Sequence, residues 1–513
     1  MAFTMTVAEL IEADTSGMLS KHPTWERVPL ADVATILNGA PFDSVYFSDS
    51  KGMPLVRIRD VNSGQTNTYY TGDYEQIYLV RRGDLLIGMD GDFNLGFWSA
   101  ETALLNQRVC KISPDESLYD KRLLAFALPG YLSAINANTS SVTVKHLSSK
   151  TVAEIGLPLP PRAEQTRIVE KLEELLSDLD AGVTELKAAQ KKLAQYRQSL
   201  LKAAVEGQLT ADWRVQHPPT ETGAELLARI LQERRARWEA KQLEKFASQG
   251  KTPPKNWQSK YPEPIPPDTQ NLPALPEGWV WATLSQIGWL DRGRSKYRPR
   301  NAPHLYGGAY PFVQTGDIRH ADTHLSKVEV FYSKAGLTQS RLWPAGTMCI
   351  TIAANIGKTA ILSMDACFPD SIVGFLPVSC DVSVRYVEYF MRSAQQKLED
   401  EAPATAQKNI NLEILEKVVI PLPPPIEQQQ IVKSLDETME DAKENNSAIE
   451  IVLKQTTAQR QNILRAAFAG ELVPQDPSDE PASALLERIR AQRAAQTPDQ
   501  KPRGRKKKEI QDA

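Results

Sequence analysis

The stretch from Pro158 to Gly207 is repeated from Pro421 to Gly470, and both ends of the repeat lie 263 residues apart. The first copy opens Pro158-Leu159-Pro160-Pro161, passes Glu164-Gln165, Ile168-Val169 and Leu172, and closes on Leu200-Leu201, Ala203-Ala204, Gly207 and Leu209. The second opens Pro421-Leu422-Pro423-Pro424, passes Glu427-Gln428, Ile431-Val432 and Leu435, and closes on Ile463-Leu464, Ala466-Ala467, Gly470 and Leu472. No residue is gained or lost between, so something fixes the length of this segment. The prolines give an extended lead-in, and they stop where apolar residues take up a helical rhythm.

From Ile168 the apolar steps alternate four and three through Leu172, Leu175, Leu179, Gly182, Leu186, Ala189, Leu193, Tyr196, Leu200 and Ala203. This spacing predicts a heptad seam, interrupted only at Gly182, where Val183 stands beside it. The second copy reads Ile431, Leu435, Thr438, Ala442, Asn445, Ile449, Val452, Thr456, Gln459, Ile463 and Ala466. A seam with that many polar residues makes a poor homodimer but a suitable register-setting partner for the leucine-rich first copy. The expected helix-pairing residues are therefore Leu172, Leu175, Leu179, Leu186, Leu193 and Leu200 against Leu435, Ile449, Val452 and Ile463. The alternative, two unrelated surface helices, leaves the ungapped repeat unexplained.

Everything else is arranged around the two copies. Residues 1–21 read as a short helical extension with Val7, Leu10 and Ile11 on one face. A module over 22–153 holds short strand-like pieces such as Leu55-Val56-Arg57-Ile58 and Asp84-Leu85-Leu86-Ile87, with a helical pattern from Lys121 to Ala134. The first long helix and its flanks occupy 154–210. A charged helix beginning near Ala224 and a proline-dense linker fill 211–275. The scheme then repeats, with a second module over 276–416, a second long helix over 417–473, and a last helix with a basic tail over 474–513. Trp279 to Leu284 echoes the Trp25 segment, Pro311-Phe312-Val313 with Asp317 echoes Pro54-Leu55-Val56 with Asp60, and Gly346 echoes Gly83. The predicted fold class is α+β, two α+β modules alternating with two long helices that pair as an antiparallel coiled coil with pseudo-two-fold symmetry.

The 60 Lys and Arg against 63 Asp and Glu leave a net charge of −3, so any nucleic-acid surface must be local. Four cysteines, Cys110, Cys349, Cys367 and Cys380, form no close pair, which suits reduced thiols in the cytoplasm. No apolar run is long enough to span a membrane, and Glu9, Glu12 and Asp14 interrupt any signal-peptide pattern. The expectation is a soluble intracellular protein.

Three stretches tempt a chemical reading. Ile352 to Thr359 ends like a phosphate-binding loop in Gly357-Lys358-Thr359, but Ile352 stands where the first glycine is needed. Asp90, Asp92, Asn94 and Glu101 fall at calcium-loop spacings, yet Leu95 replaces the turn glycine. His320 and His324 flank Asp322 with no helix evident and no cysteine pair near, which argues against zinc. An Asn-Pro-Pro-aromatic methyltransferase signature is absent, so no metal and no catalytic residue are assigned. The most DNA-like stretch is Arg292-Gly293-Arg294-Ser295-Lys296-Tyr297-Arg298-Pro299-Arg300, whose cations can follow a phosphate backbone while an arginine reaches a guanine edge. The bland reading is a solvated basic loop. In the first module the corresponding region is not basic, and the candidates are Arg57, Arg59, Gln107, Arg108, Lys145 and His146. Arg108 and Lys145 serve equally well as structural ion-pair partners. Lys145 and Lys408 are again 263 apart, suited to phosphate contact or to packing where each long helix begins.

The two Pro-Leu-Pro-Pro…Glu-Gln…Ile-Val helices, the Ala-Ala…Gly closures at 203–207 and 466–470, and Leu275-Pro276-Glu277-Gly278-Trp279 together resemble the specificity (S) subunit of type I restriction-modification systems. Gly88 to Asn94 followed by Asn106-Gln107-Arg108, and Ile356 to Thr359, look like stretches common in such subunits. The resemblance implies that each module is a target-recognition domain reading one half of a split DNA sequence, held apart by the paired helices. It further implies two methylation subunits carrying S-adenosylmethionine and two motor subunits using ATP and Mg, with no cofactor and no chemistry in this chain. The duplication fits independently, because a pseudo-two-fold frame can bind two copies of one partner and a duplex has local two-fold axes. The rival expectations are a self-sufficient nuclease or methyltransferase and a coiled-coil adaptor whose modules bind protein.

Overall fold

The computed structural model describes residues 5–139, 145–353, 355–401 and 409–496. It divides into two units, one of Met1–Lys187 with Glu450–Ala513 and one of Ala188–Ile449. Each unit therefore combines one module, the first part of the long helix that follows it, the last part of the other long helix, and the segment after that. The long helices are Arg162–Val205 and Pro425–Ala469. At ~1.5 Å per residue each is about 66 Å long.

In unit 1 Glu26–Pro29 pairs antiparallel with Gly156–Leu159, Arg27 standing opposite Pro158. The first prolines of the lead-in thus belong to a two-stranded ladder with an open edge, where a missing N–H is tolerated. The module's central sheet has the order Ala34–Asn38, Val109–Pro114, Leu85–Gly88, Leu95–Phe97, all antiparallel. A smaller sheet of five short strands, including Met53–Val56 parallel to Ala103–Leu105, covers its far side. The helix Lys121–Ala137, capped by Asp120, buries Leu124, Leu128 and Ile135 against the central sheet, with Ile168, Leu172, Ile463 and Ala467 of the long helices in the same cluster. Leu485 and Ile489 of the last helix, Ala482–Gln496, complete this core.

Unit 2 repeats the plan. Val280–Thr283 pairs with Val419–Leu422, Trp281 opposite Pro421. The central sheet has the order Gly288–Arg292, Ile372–Pro377, Met348–Thr351, Thr359–Leu362, His324–Leu325. The helix Val384–Glu401 starts 263 residues after Lys121. Strands Leu85–Gly88 and Met348–Thr351, and Val109–Pro114 and Ile372–Pro377, keep the same offset. The duplication thus extends well before Pro158, where sequence likeness is faint. The echo between Asp60 and Asp317 is a shared turn: each carboxylate accepts the N–H three residues back, from Arg57 at 2.9 Å and from Gln314 at 2.8 Å. The charged helix, Gly223–Ser248, packs into unit 2 through buried Leu226 and Ile230, and Arg234 lies 3.8 Å over the Trp289 ring. The proline-dense segment also runs along this unit, since Ile265 bonds Ser285 and Thr283.

The Glu-Gln pair in each repeat locks module to helix, and its logic is the same in both units. Gln165 accepts the Asp120 N–H at 2.8 Å and donates to the Pro160 carbonyl; Gln428 accepts the Ser383 N–H at 2.9 Å and donates to the Pro423 carbonyl. Glu164 accepts the Trp25 indole N–H at 3.1 Å and Glu427 that of Trp279 at 2.8 Å. The second partner of each glutamate comes from beyond the other long helix: Gln475 for Glu164, and Thr210 at 2.7 Å with Arg214 for Glu427. One buried carboxylate therefore joins module, helix start and opposite helix end.

The helices pair antiparallel within each unit, Asp180 meeting Arg460 at 2.7 Å in unit 1 and Gln190 meeting Asn446 at 3.4 Å in unit 2. The inward positions of the first are Ile168, Leu172, Leu176, Leu179, Val183, Leu186, Gln190, Leu193, Arg197, Leu201 and Ala204, ten steps covering 36 residues. These innermost positions step by 3.6 residues on average, so along each helix they part gradually from positions counted strictly in heptads. The expected seam drifts off accordingly. Leu172, Leu435 and Ile463 are buried and Leu175, Leu179, Leu186, Leu193, Leu200 and Ile449 half-buried, but Val452 is 40 % exposed and Leu453 takes its place. Tyr196, 52 % exposed, is displaced in the same way by Arg197.

Candidate nucleic-acid interface

In each module the central strands end together on one side. Arg292 closes its strand opposite Val373, and Thr351 stands opposite Ile372, so the basic segment 292–300 and the hairpin after Thr351 share one end of the unit 2 sheet. In unit 1 the matching end holds Asn38, the loop after Gly88, and Arg108 just before Val109. A bridge from this loop to the segment leading into the long helix is also duplicated, Asp90 to His146 and Ala353 to Asn409.

The basic segment is a braced loop rather than a free one. Arg292 donates twice to the Asp370 carbonyl, and Arg300 grips the Asp370 carboxylate at 2.7 and 3.0 Å. Asp291 pairs with Arg341 at 2.6 Å and lies 3.8 Å from Arg294. Arg298 donates to the Ser295 and Tyr297 carbonyls. Lys296 is exposed and has no bonded partner among the described residues, and Tyr297, 45 % exposed, meets His304 edge-on. Six cations still face two carboxylates, and the four arginines of the segment remain exposed, so the loop presents a positive edge whose shape is set from within. Bracing of this kind lowers the ordering cost of contacting a fixed polyanion.

Unit 1 presents a more neutral edge. Asp90 meets His146 Nδ1 at 2.5 Å and Arg108 at 3.5 Å, so this carboxylate is already engaged within the protein. Lys145 donates to the Asn136 carbonyl at 2.6 Å and to its side chain at 3.0 Å, and Asn136 in turn donates to Gly91. The Lys145 ammonium therefore ties the loop to the module helix, which favours the packing role over phosphate contact. Arg59 bonds Thr68 at 3.0 Å yet stays 65 % exposed, and Arg57 and Gln107 are exposed. Lys408, with the basic tail after 496, lies outside the described residues.

The tempting motifs resolve structurally. Gly357-Lys358-Thr359 closes a hairpin in which Thr351 Oγ1 bonds the Asn355 carbonyl and Ile352 is buried. A short helix, Thr315–His320, does form beside His324, contrary to expectation, but the Asp322 carboxylate there is held by Lys443 at 2.7 Å, which keeps it below the usual carboxylate range. Among the described residues no group of three or more His, Cys, Asp or Glu side chains could hold a metal ion, and no helix is long and apolar enough to cross a membrane. All four cysteines are free, and burial pushes the Cys110 thiol up to about 12. Sequence reading missed a cationic cavity of about 350 Å³ in unit 2, lined by Arg197, Arg319, Lys358 and Arg392. These come from four separate elements, so no local pattern announces them. In unit 1 the matching hollow is lined by Asp92, Asn94 and Pro129 and has no cation.

A family model described as "Type I restriction modification DNA specificity domain" matches residues 23–192 and 276–455. The chain is 34 % identical over 518 residues to the type I restriction enzyme EcoBI specificity subunit of Escherichia coli, covering 96 % of this chain and 98 % of that protein. The chain belongs to the type I restriction-modification specificity subunits. It is also 22 % identical over 498 residues to the EcoKI specificity subunit of Escherichia coli strain K12, covering 92 % and 96 % of the two chains. A solved structure from work on the assembly and conformational transition of the type I restriction-modification system shares the fold, with a TM-score of 0.61, 18 % identity, and coverage of 88 % of this chain and 99 % of that one. Each family match takes in one module and the first part of the helix after it, which is the duplicated element of the fold. As a specificity subunit the chain supplies DNA sequence recognition, and the adaptor reading falls away.

Proposed function

We propose that each module reads one half of a bipartite DNA site through the loop-bearing end of its central sheet, and that the paired helices set the unread spacer. In this reading the chain performs no catalysis. Two methylation subunits, bringing S-adenosylmethionine, dock on the helices, and two motor subunits bring ATP and Mg. The modules occupy the 22–153 and 276–416 segments, and the protein works in the cytoplasm. The observation that carries the reading is the contrast between like frames and unlike edges: the indole-to-Glu and backbone-to-Gln bonds of the two locks match, while the sheet ends differ in charge and partners. Like frames suit identical partners, and unlike edges suit different half-sites. In unit 2 the contacts would come from Arg292, Arg294, Lys296, Tyr297, Arg298 and Arg300, with Arg319 and Lys358 as further phosphate partners; in unit 1 from Arg57, Arg59 and Arg108. The test exchanges residues 22–150 for the same module of another specificity subunit and sequences the methylome of a host expressing the chimera with its methylation subunit. One half of the target should change and the other persist; a change in both halves together would defeat the assignment.

A further inference from the structure

The two units differ at one place where their shared plan predicts likeness. In unit 1 the N-terminal helix, Val7–Glu12, lies across the end of the module helix, the short helix Ser149–Ala153 and the start of the strand Gly156–Leu159. Val7 and Leu10 are buried among Ile135, Val152 and Ile155, and the Ile11 side chain lies 3.5 Å from where a β-carbon on Gly156 would stand. Beneath this helix Ile155 is fully buried.

Moving 263 residues along, Ile135, Thr151, Glu154, Ile155 and Gly156 become Leu398, Ile414, Lys417, Val418 and Val419. All five line an open groove of about 800 Å³ in unit 2, together with Trp281, Phe390 and Ala394. Of the chain that precedes this module, the last turns of the first long helix, from Gln198 to Glu206, form one wall, and Leu272 and Pro273 reach another without covering the floor as a helix does. Val418 is consequently only half-buried where Ile155 is sealed. The groove is thus the uncovered counterpart of a site that, in the same protein, is filled by a known kind of object.

That object has a definite chemistry. The N-terminal helix offers Val7, Leu10 and Ile11 on one face and Glu9 and Glu12 beside them, with Asp14 following. The open groove carries Lys202 and Lys417 on its rim, 72 % and 55 % exposed, and Lys417 stands where unit 1 has Glu154. Their i,i+4 pairings with Glu206 and Glu413 are surface contacts that leave the positive rim open to a partner. We propose that this groove is the docking site of an acidic amphipathic helix of a partner protein, about two turns long, presenting apolar side chains at i, i+3 and i+4. Resting on the function proposed above, the partner is the methylation subunit.

The experiment installs the photo-crosslinker p-benzoylphenylalanine at Ala394 of the full chain, co-expressed with the methylation subunit, and a control probe at exposed Glu185 on the first long helix. The Ala394 probe should label one acidic helical segment of the partner, and Lys417→Glu should cut that labelling at least tenfold while the Glu185 label persists. Labelling from Glu185 but none from Ala394, or labelling unaffected by Lys417→Glu, overturns the inference and leaves the proposed function standing. If no complex forms, the proposed function fails instead, and the groove is judged on the chain alone with a synthetic peptide of residues 5–16. Preferential labelling by this peptide over one carrying Glu9→Lys and Glu12→Lys, reversed in the Lys417→Glu chain, supports an acidic-helix groove; equal or absent labelling overturns it.

Discussion

Replacing Glu427 should loosen unit 2 and leave unit 1 intact. Its carboxylate is buried and accepts from Trp279 Nε1 at 2.8 Å, Thr210 Oγ1 at 2.7 Å and Arg214 Nε at 2.9 Å, with Arg214 Nη2 at 2.7 Å. Glu427→Ala strands two neutral donors and a guanidinium that is only 17 % exposed. Removing one partner of a buried ion pair costs about 3–5 kcal/mol. Glu427→Gln keeps the shape, but its amide turns a donor toward either the indole or the Thr210 and Arg214 pair, at a cost of about 1–3 kcal/mol for one unmet buried donor. Combining Glu427→Gln with Trp279→Phe removes the indole N–H. The pair should therefore be less damaging than its separate effects summed, by about 1 kcal/mol. A two-unit chain does not unfold in one step, so the assay is native-state amide exchange read peptide by peptide. Exchange should rise in peptides of 188–449 and not in those of 22–153. A loss below about 1 kcal/mol for Glu427→Ala, or an equal loss in both units, would refute the lock, given the cost expected for a broken buried pair.

Unit 1 should answer differently to pH. Burial raises the Glu164 carboxyl above its ordinary value, partly opposed by the Trp25 and Gln475 donors, so its stabilising contribution is present below the unfolded value and is lost as pH rises through the folded one. Glu164→Gln should therefore gain on the parent as pH rises above the ordinary carboxylate value, measured by amide exchange in peptides of 22–153 across that rise, and a constant difference would count against it. Lys296→Ala should lower the log-log salt slope of DNA binding by about 0.9 with the target unchanged, whereas Arg298→Ala, which removes the brace on Ser295 and Tyr297, should alter half-site preference; fluorescence anisotropy against salt separates the two. Matched seven-residue insertions after Ala189 and after Asn446, positions that face each other beside the Gln190–Asn446 contact, add about 10.5 Å to each helix. Methylation should move to sites with roughly three more unread base pairs at ~3.4 Å each, and methylation confined to the original spacing in a folded protein would exclude the ruler.

What was legible in the sequence follows from where identity is physically required. A buried Glu-Gln pair that must meet an indole, two backbone groups and a distant chain end tolerates little change, so Glu164-Gln165 and Glu427-Gln428 stand out by eye. The strands Leu85–Gly88 and Met348–Thr351 keep the same offset but need only to be apolar, and Leu-Leu-Ile-Gly against Met-Cys-Ile-Thr reveals little. Helix pairing was legible as a pattern and misplaced in detail. A seam counted in heptads drifts about 20° per heptad against a 3.6-residue period, so over the three heptads from Ile431 it moves by more than half a residue step, which puts Val452 outside and Leu453 inside. The candidate interface was half legible. The basic run at 292–300 is a local signal, but its bracing by Asp291 and Asp370 comes partly from 70 residues away, and the cation cavity of Arg197, Arg319, Lys358 and Arg392 is assembled only by the fold.

The lock also explains why the chain divides near the middle of its helices rather than between its modules. If Glu164 bound only its own module, the first 210 residues would form a self-contained half; instead its second partner is Gln475, and Arg167 beside it pairs with Asp479 at 2.7 Å. Each module is therefore seated on the start of its own long helix and the end of the other. Leu176 and Ile463 share one core, as do Leu201 and Leu435. Seating a module and pairing the helices are consequently one event, with the buried carboxylate as the joint. Such a joint lets the exposed sheet ends diverge, because its bonds come from Trp25, Asp120 and Gln475 in unit 1 and from Trp279, Ser383, Thr210 and Arg214 in unit 2, none of them in the loops proposed to meet DNA.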